Sequence, residues 1–154
     1  MAKVAIIMGS ESDREIVSEA YPYLEYFKIE YDTLVMSAHR RPQQVQEFAS
    51  SAKNQGYSLI IACAGLAAHL PGVVAAYTTL PVIGVPLDAG PLRGLDALFS
   101  IVQMPAGVPV ASMAIGKAGV RNAAIFAAQI LAISDIKIHD QLKKFKANAC
   151  RLPK

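Results

Sequence analysis

Five short runs of apolar and β-branched residues, separated by stretches with helical spacing, constrain the fold of this chain more than any other feature. The runs cover residues 3–8, 29–36, 57–64, 80–86 and 108–113. Apolar runs of this length are typical of strands buried on both faces, and helices between such strands indicate a parallel sheet. The predicted fold class is therefore α/β: three layers around a doubly wound, parallel, five-stranded sheet in the order 2-1-3-4-5, with an extra C-terminal helix.

The helices are predicted from apolar spacing and from residues typical of helix ends. One helix starts near Ser12 and should be kinked by Pro22, and another is opened by Pro42 and ended by Gly56. Three more are predicted at 95–102, 120–133 and 136–147. A single domain is expected over 1–154, in which 135–154 forms a polar C-terminal helix and tail that project from the core.

The predicted helix at 120–133 is apolar almost all round, with only Asn122 and Gln129 polar after residue 121. A helix of this kind must be covered on both sides. The chain is also 53% hydrophobic. We therefore expect a partner subunit to cover the outer face of this helix.

Composition excludes several classes of protein. No apolar run reaches the roughly 20 residues of a membrane span, and residues 1–3 lead straight into a strand, so neither a membrane segment nor a signal peptide is expected. Cys63 and Cys150 are too few for a disulfide framework, and no zinc-ligand spacing is present, which favours a reduced cytoplasm.

The net charge of +3 is mild. It comes from a basic C-terminal end that favours a solvated helix over nucleic-acid binding, comprising Lys143, Lys144, Lys146, Arg151 and Lys154.

Polar residues follow the first predicted strand at the turn where a helix begins. Gly9 permits close backbone approach, while the hydroxyls of Ser10 and Ser12 and the carboxylate of Asp13 suit a phosphate and a ribose. The same residues also suit simple N-capping, and the turn by itself leaves both interpretations open.

Two histidines follow the second and third strands in the same way. His39, with Arg40 beside it, ends the second strand, and His69 lies in a small-residue loop after the third. Imidazole moves protons near neutral pH and guanidinium binds phosphate, although a histidine in a turn also serves structural roles. In the predicted strand order these turns meet at one crevice. This set favours proton transfer on a phosphorylated small molecule without metal or redox cofactor.

Common alternative chemistries lack their motifs. Neither G-x-x-x-x-G-K-[ST] nor G-x-G-x-x-G follows the first strand, and no Ser or Cys lies in an elbow beside a base. The acidic residues of a receiver domain are also missing.

A Gly- and Pro-rich stretch at 87–94 is typical of a lid.

Five ordered motifs carry a resemblance to a known family. They are MGSESD at 8–13, SAHRRP at 37–42, AAHLPG at 67–72, SIVQMPAGVPV at 100–110, and AIGKAG at 114–119 followed by NAA at 122–124. From about Lys3 to Ile138 the chain resembles the 5-(carboxyamino)imidazole ribonucleotide mutases of purine biosynthesis. The resemblance implies a flavodoxin-like fold, a phosphorylated imidazole ribonucleotide as substrate and a homo-octamer. It also implies a separate ATP-dependent synthetase that supplies the substrate, and no cofactor.

The resemblance also implies roles for individual residues. His39 and His69 are the catalytic candidates: His39 matches the catalytic acid/base, and His69 matches the wall around the imidazole and the migrating carboxylate. Ser10, Asp13 and Arg40 match positions that bind the nucleotide. The remaining candidate substrate-binding residues lie in the same motifs or the adjoining loop and are Ser12, Ser37, Ala64, Gly65, Ala67 and Leu70.

Some positions depart from the family pattern. The family usually has Thr where this chain has Arg41, and a second Gly where it has Leu66. Asp88 and Arg93 add charge to a loop that is usually less charged. Two alternatives stay open: a related carboxylase that uses free carbon dioxide, which tends to have Lys at the Arg40 position, and a non-catalytic flavodoxin-like nucleotide-binding module.

Overall fold

The structure is a computed structural model that describes residues 3–153. Met1, Ala2 and Lys154, on which parts of the terminal predictions rest, lie outside the described residues. The strands are β1 (Lys3–Met8), β2 (Glu30–Val35), β3 (Tyr57–Ala64), β4 (Val82–Pro86) and β5 (Ala111–Ser112). The α-helices are α1 (Arg14–Val17), α2 (Tyr21–Tyr26), α3 (Pro42–Ser51), α4 (Leu70–Tyr77), α5 (Leu95–Val102), α6 (Lys117–Leu131) and α7 (Ile136–Ala147).

The five strands form one parallel sheet in the order β2-β1-β3-β4-β5. The predicted fold class and strand order are therefore confirmed. Central strands β1 and β3 are almost wholly buried, as expected of strands with helices on both faces. Along β1, alternate side chains enter opposite cores, so that Ile6 and Ile7 belong to different clusters.

Each face of the sheet is covered by its own set of helices. One core cluster joins Val4, Ile6 and Met8 to side chains of α1, α2, α6 and α7. The other joins Ala5 and Ile7 to side chains of α3, α4 and α5. The sheet is thus the middle of three layers, with α7 as an addition to the first helical layer.

Several element boundaries differ from the predicted ones for local reasons. A 3-10 turn at Ser18–Ala20 separates α1 from α2, which places Pro22 in the first turn of a new helix instead of at a kink. The edge strand predicted at 108–113 shrinks to Ala111–Ser112, since Pro109 has no N–H to add to the ladder. Helix α3 ends at Ser51, and Gly56, at φ +89°, completes the turn that follows.

The prediction that the last helix projects from the core was wrong. Ile138, Leu142 and Phe145 of α7 are buried and belong to the same cluster as the inner face of α6. Phe145 is only 1% exposed and packs edge-on against Phe27, with ring centroids 5.4 Å apart. A polar composition concealed an amphipathic helix whose apolar face completes the core.

Helix α6 is covered largely by its own chain. Its buried face packs on the sheet and on α1, α2 and α7, while Ile125, Phe126 and Ile130 are half-buried against the same core. The predicted partner subunit is therefore not needed to cover most of this helix. Within residues 3–153, no helix combines the length and apolar character needed to cross a membrane.

Candidate active site

Three loops leave the sheet at one edge, next to one another. Met8, at the end of β1, pairs with Val35 of β2 on one side and with Cys63 of β3 on the other. The chain therefore turns in opposite directions after β1 and β3, and the loops diverge around a crevice. In doubly wound sheets this switch point is where ligands bind.

A cavity of about 470 Å³ lies in this crevice. This volume is within the range of small-ligand sites. All of the candidate site residues named from the sequence line it, which are Ser10, Ser12, Asp13, Ser37, His39, Arg40, Ala64, Gly65, Ala67, His69 and Leu70. The remaining lining residues are Gly9, Ala38, Leu66 and Ala89.

A surface groove of about 620 Å³ runs between Phe27, Lys28 and α7, and it is larger than the crevice cavity. Its lining carries lysines and aspartates but neither of the histidines that follow the strands. Imidazole is the side chain best suited to exchange protons near neutral pH. The crevice cavity is therefore the better candidate for chemistry.

The loop after β1 clusters hydroxyls at the start of a helical segment. Ser10 Oγ and Ser12 Oγ lie 2.8 Å apart, and the Ser12 backbone N–H donates to Ser10 Oγ at 3.3 Å. The Asp13 N–H donates to the Ser10 carbonyl at 3.1 Å, which closes the turn. Ser10 thus caps the 3-10 turn Glu11–Asp13 and still lines the cavity, so capping and ligand binding are compatible at this residue.

Among the residues that the structure describes, Asp13 is the one carboxylate that lines the cavity. Burial raises its pKa, and a backbone hydrogen bond at Ser10 partly offsets the increase. Burial also raises the pKa of the Cys63 thiol, with a smaller contribution from the charge of Asp13. Cys63 is fully buried beneath the loops, so we assign it to packing rather than to nucleophilic chemistry.

The turn after β2 is held by Ser37. Its Oγ accepts a hydrogen bond from the Arg40 N–H at 3.2 Å, and its carbonyl accepts one from the Arg41 N–H at 2.9 Å. The guanidinium of Arg40 is exposed and pairs with no carboxylate within residues 3–153, so it is available to an anion. Arg41 is the N-cap residue that precedes α3, and its side chain makes no capping hydrogen bond, as expected of a side chain that cannot accept one.

The two histidines predicted to converge are in direct contact. His39 Nε2 and His69 Nδ1 lie 2.7 Å apart, and the ring planes are inclined at 85°. One nitrogen must carry the hydrogen and the other must accept it, so the pair shares a proton position. Both side chains are exposed in the single chain, and the cavity opens to solvent beside them.

The loop after β3 packs tightly against the stretch predicted to be a lid. A Cβ built on Gly65 would lie 2.7 Å from Cβ of Ala89, so a glycine is required there. The Leu87 N–H donates to the Ala64 carbonyl at 2.9 Å, which ties the two loops together. Leu66 adopts φ +55°, a left-handed conformation that is costly for a branched residue.

Ala89 is the lining residue that the sequence did not identify individually. The Gly- and Pro-rich composition of 87–94 indicated a loop near the site, but no motif points to residue 89. Gly9, where close backbone approach was predicted, also lines the cavity, as do Ala38 and Leu66, for which no contact was predicted. Within residues 3–153, no group of three or more His, Cys, Asp or Glu side chains is placed to hold a metal ion.

The fold and the cavity define a protein of the doubly wound α/β class with a small-ligand site at the carboxyl edge of its sheet. The chain matches the model of the AIR carboxylase family over residues 3–151 and belongs to that family. The family resemblance expected from the five motifs is therefore confirmed.

Individual relatives extend this match over nearly the whole chain. The N5-carboxyaminoimidazole ribonucleotide mutase of Pyrococcus abyssi (strain GE5 / Orsay) is 50% identical over 151 residues, which is 98% of this chain and 86% of the relative. The mutase of Saccharolobus solfataricus (strain ATCC 35092 / DSM 1617 / JCM 11322 / P2) is 53% identical over 145 residues, covering 94% and 90%. A crystal structure of Treponema denticola PurE superposes with a TM-score of 0.87 at 29% identity, covering 97% of this chain and 92% of the other.

Proposed function

We propose that the protein is an N5-carboxyaminoimidazole ribonucleotide mutase of purine biosynthesis. The observation that carries this proposal is the His39–His69 contact of 2.7 Å in a cavity that also holds Arg40, Ser10 and Asp13. Such a cavity combines a proton-transfer pair with groups suited to a ribonucleotide. The names of relatives that are 50% and 53% identical support the same activity.

The binding groups divide by their chemistry. The free Arg40 guanidinium and the hydroxyls of Ser10 and Ser12 suit the phosphate, because charge-assisted bonds to phosphate are strong. Asp13 suits the ribose hydroxyls as an acceptor. The hydroxyl of Ser37 accepts from its own turn and retains a hydrogen to donate. A wall of small and apolar groups leaves room for the imidazole, formed by Ala64, Gly65, Ala67 and Leu70.

The proposed reaction needs one proton in and one proton out. His39 donates a proton to the exocyclic nitrogen; the bond between that nitrogen and the carboxylate carbon breaks, its electron pair stays on nitrogen, and carbon dioxide is released. The adjacent ring carbon attacks the carbon dioxide through a new carbon–carbon bond. The proton on that ring carbon then returns to His39, so the overall change is an isomerisation. Through its hydrogen bond, His69 fixes the orientation of His39 and the nitrogen that carries the proton.

Substrate supply decides between the mutase and a carboxylase that uses free carbon dioxide. The purified protein receives either N5-carboxyaminoimidazole ribonucleotide or aminoimidazole ribonucleotide with bicarbonate, and the ring-carboxylated product is measured. We expect product from the first substrate at low bicarbonate. Product from the second substrate alone would replace the mutase by the carboxylase, and turnover of neither would leave only a nucleotide-binding module.

We also propose that the protein works as a single-domain homo-oligomer in the cytoplasm, with an octamer as the expected size, supplied with substrate by an ATP-dependent synthetase. The proposed chemistry requires that water be kept from the released carbon dioxide. Both imidazoles are exposed in the single chain, and a neighbouring subunit over the cavity mouth would cover them. Light scattering tests the assembly, since a fully active monomer would exclude it.

A further inference from the structure

Leu66 has an unusual position at the cavity mouth. It is an apolar, branched residue at φ +55°, yet 52% of its surface is exposed. Neither burial in the core nor backbone preference explains a leucine here, because it gains little burial and adopts a conformation that favours glycine. The contacts of its side chain are the remaining reason for a leucine at this position.

The Leu66 side chain lies directly on the backbone of Gly90. A Cβ built on Gly90 would be 2.5 Å from Leu66 Cδ2, so the Leu66 side chain would have to move to admit it. Leu66 thus occupies the space that a side chain at residue 90 would need. Next to it, Gly65 makes room for Ala89 in the same way. The loop after β3 and the loop at 87–94 are interlocked by these two contacts.

The loop at 87–94 is anchored at both ends. Leu87 is 2% exposed and bonded to the Ala64 carbonyl, and Gly94 lies against the Leu87 carbonyl at the start of α5. Between these anchors Gly90 and Arg93 both have positive φ, at +71° and +50°. The Arg93 N–H donates to the Gly90 carbonyl at 3.2 Å, so Leu66 contacts this loop at the first residue of its central turn.

We propose that Leu66 is a positioning residue that latches the 87–94 loop over the cavity and thereby retains the carbon dioxide released during the reaction. The latch is the contact between the Leu66 side chain and Gly90; its effect on carbon dioxide rests on the proposed function. Ala89, which belongs to the same loop, forms part of the cavity wall. Loss of the latch moves this wall outward and opens a route to solvent.

Limited proteolysis of the ligand-free protein tests the latch without any activity measurement. Arg93 is exposed in the loop, so trypsin cleavage after Arg93 reports its opening. We expect Leu66→Gly and Leu66→Ala to be cleaved about fivefold faster than wild type, the change expected when roughly 1 kcal/mol of contact energy is lost. Leu66→Met, which keeps an apolar side chain over Gly90, should be cleaved at the wild-type rate.

The two fast variants separate the side chain from the backbone. Leu66→Gly removes the conformational cost of the positive φ at residue 66, whereas Leu66→Ala keeps most of that cost. Equal acceleration in both assigns the effect to the lost side chain. Unchanged cleavage in Leu66→Gly, or acceleration in Leu66→Ala alone, would overturn the latch.

A double-variant cycle tests the contact itself. Gly90→Ala adds a Cβ against Leu66 at a positive φ, whereas the control Gly107→Ala adds one at φ +97° with nothing within 4 Å. We expect Gly90→Ala to lower Tm more than Gly107→Ala, and the excess to disappear in the Leu66→Gly background. An equal Tm loss in both backgrounds would show that the contact is absent.

Carbon dioxide retention is measured with substrate labelled in its carboxylate carbon, in unlabelled bicarbonate. We expect Leu66→Gly to raise the ratio of aminoimidazole ribonucleotide to labelled product about fivefold, and Leu66→Met to leave it unchanged. An unchanged ratio in a variant whose loop is cleaved faster would overturn the retention role. If wild type turns over no substrate, the proposed function fails while the proteolysis result still decides the latch.

Discussion

His39 Nε2 and His69 Nδ1 are 2.7 Å apart, although 30 residues separate them in the chain. This bond needs one N–H and one lone pair, so it exists when at most one of the two rings is doubly protonated. Protonation of both rings replaces a hydrogen bond by repulsion between two cations. The two imidazoles are therefore one hydrogen-bonded unit, in which the tautomer of each ring depends on the tautomer of the other.

His39→Asn should abolish proton transfer while the fold and nucleotide binding persist. We expect the rate to fall by about 10²–10⁴, the usual contribution of a general acid–base group. Rates and nucleotide affinity are measured on the same preparation. His139→Asn, a change of the third histidine on α7 and outside the cavity, is the control and should retain wild-type turnover. Near-normal turnover of His39→Asn would remove this residue from the mechanism.

Arg40→Ala should weaken binding of the phosphorylated substrate by about 1.5–3 kcal/mol, the range for hydrogen bonds to charged groups. Arg40→Lys should recover part of the loss, since lysine keeps the charge without the planar fork. Calorimetry with the nucleotide and its dephosphorylated nucleoside measures the effect. Arg41→Ala removes the same charge from the next residue, which lies outside the cavity lining, and is the matched control. Equal affinity of wild type for nucleotide and nucleoside would mean that no phosphate is bound.

Asp13→Asn should raise stability at neutral pH and weaken ribonucleotide binding. Burial raises the folded-state pKa of Asp13 above its ordinary 3.8, so its contribution to stability is complete below that value. The contribution is lost as pH rises through the folded-state pKa, and ionised Asp13 then costs stability. We expect the Tm of Asp13→Asn to exceed that of wild type at pH 7, with the difference shrinking towards pH 3.8.

The control for Asp13→Asn is Glu15→Gln, which removes an exposed negative charge from the same segment of the chain. It measures how the loss of a charge by itself changes Tm. A Tm difference that grows as pH falls would contradict the assigned direction of the Asp13 shift. Tighter ribonucleotide binding by Asp13→Asn would contradict its role at the ribose.

Phe145→Ala should destabilise the protein strongly because α7 belongs to the core. Phe145 is 1% exposed and contacts the rings of Tyr23, Tyr26 and Phe27. Truncation of a buried phenylalanine costs about 3–5 kcal/mol, which denaturant unfolding will measure. Ile136→Ala on the same helix, at a position 69% exposed, should cost far less. Similar losses in both variants would indicate a helix that only rests on the surface.

Phe99→Glu should dissociate the proposed oligomer. The side chains of Leu95, Phe99 and Val102 on α5 are about half exposed or more and follow one another at helical spacing. Since α6 is covered within the chain, α5 offers the more exposed apolar face. Gln129→Glu adds the same charge to the exposed side of α6 and should leave the assembly intact. If light scattering shows dissociation only for Gln129→Glu, the subunit interface lies on α6 and not on α5.

The sheet and the location of the site were predictable because they depend on local pattern. Buried strands produce continuous apolar runs, and parallel topology brings their carboxyl ends together, so Ser10, His39 and His69 had to share one edge. The identity of the lining residues followed from the loops that continue these strands. No knowledge of side-chain packing was required for that step.

The remaining features depend on contacts between segments far apart in sequence. The composition of α7 is polar, and only the position of Phe145 beside the aromatic residues of α2 makes its buried face visible. Leu66 meets Gly90 because the loop after β3 lies against the loop after β4, which no local pattern encodes. The length of β5 depended on the missing N–H of Pro109.

The packing of Phe145 also determines when this protein can finish folding during synthesis. Segments fold in the order in which they leave the ribosome, with the N-terminal ones first. The aromatic pocket formed around Phe27 is translated 118 residues before the ring of Phe145 that fills it. Until α7 has left the ribosome, the nascent chain exposes an apolar face, and we expect it to be a chaperone substrate throughout that interval.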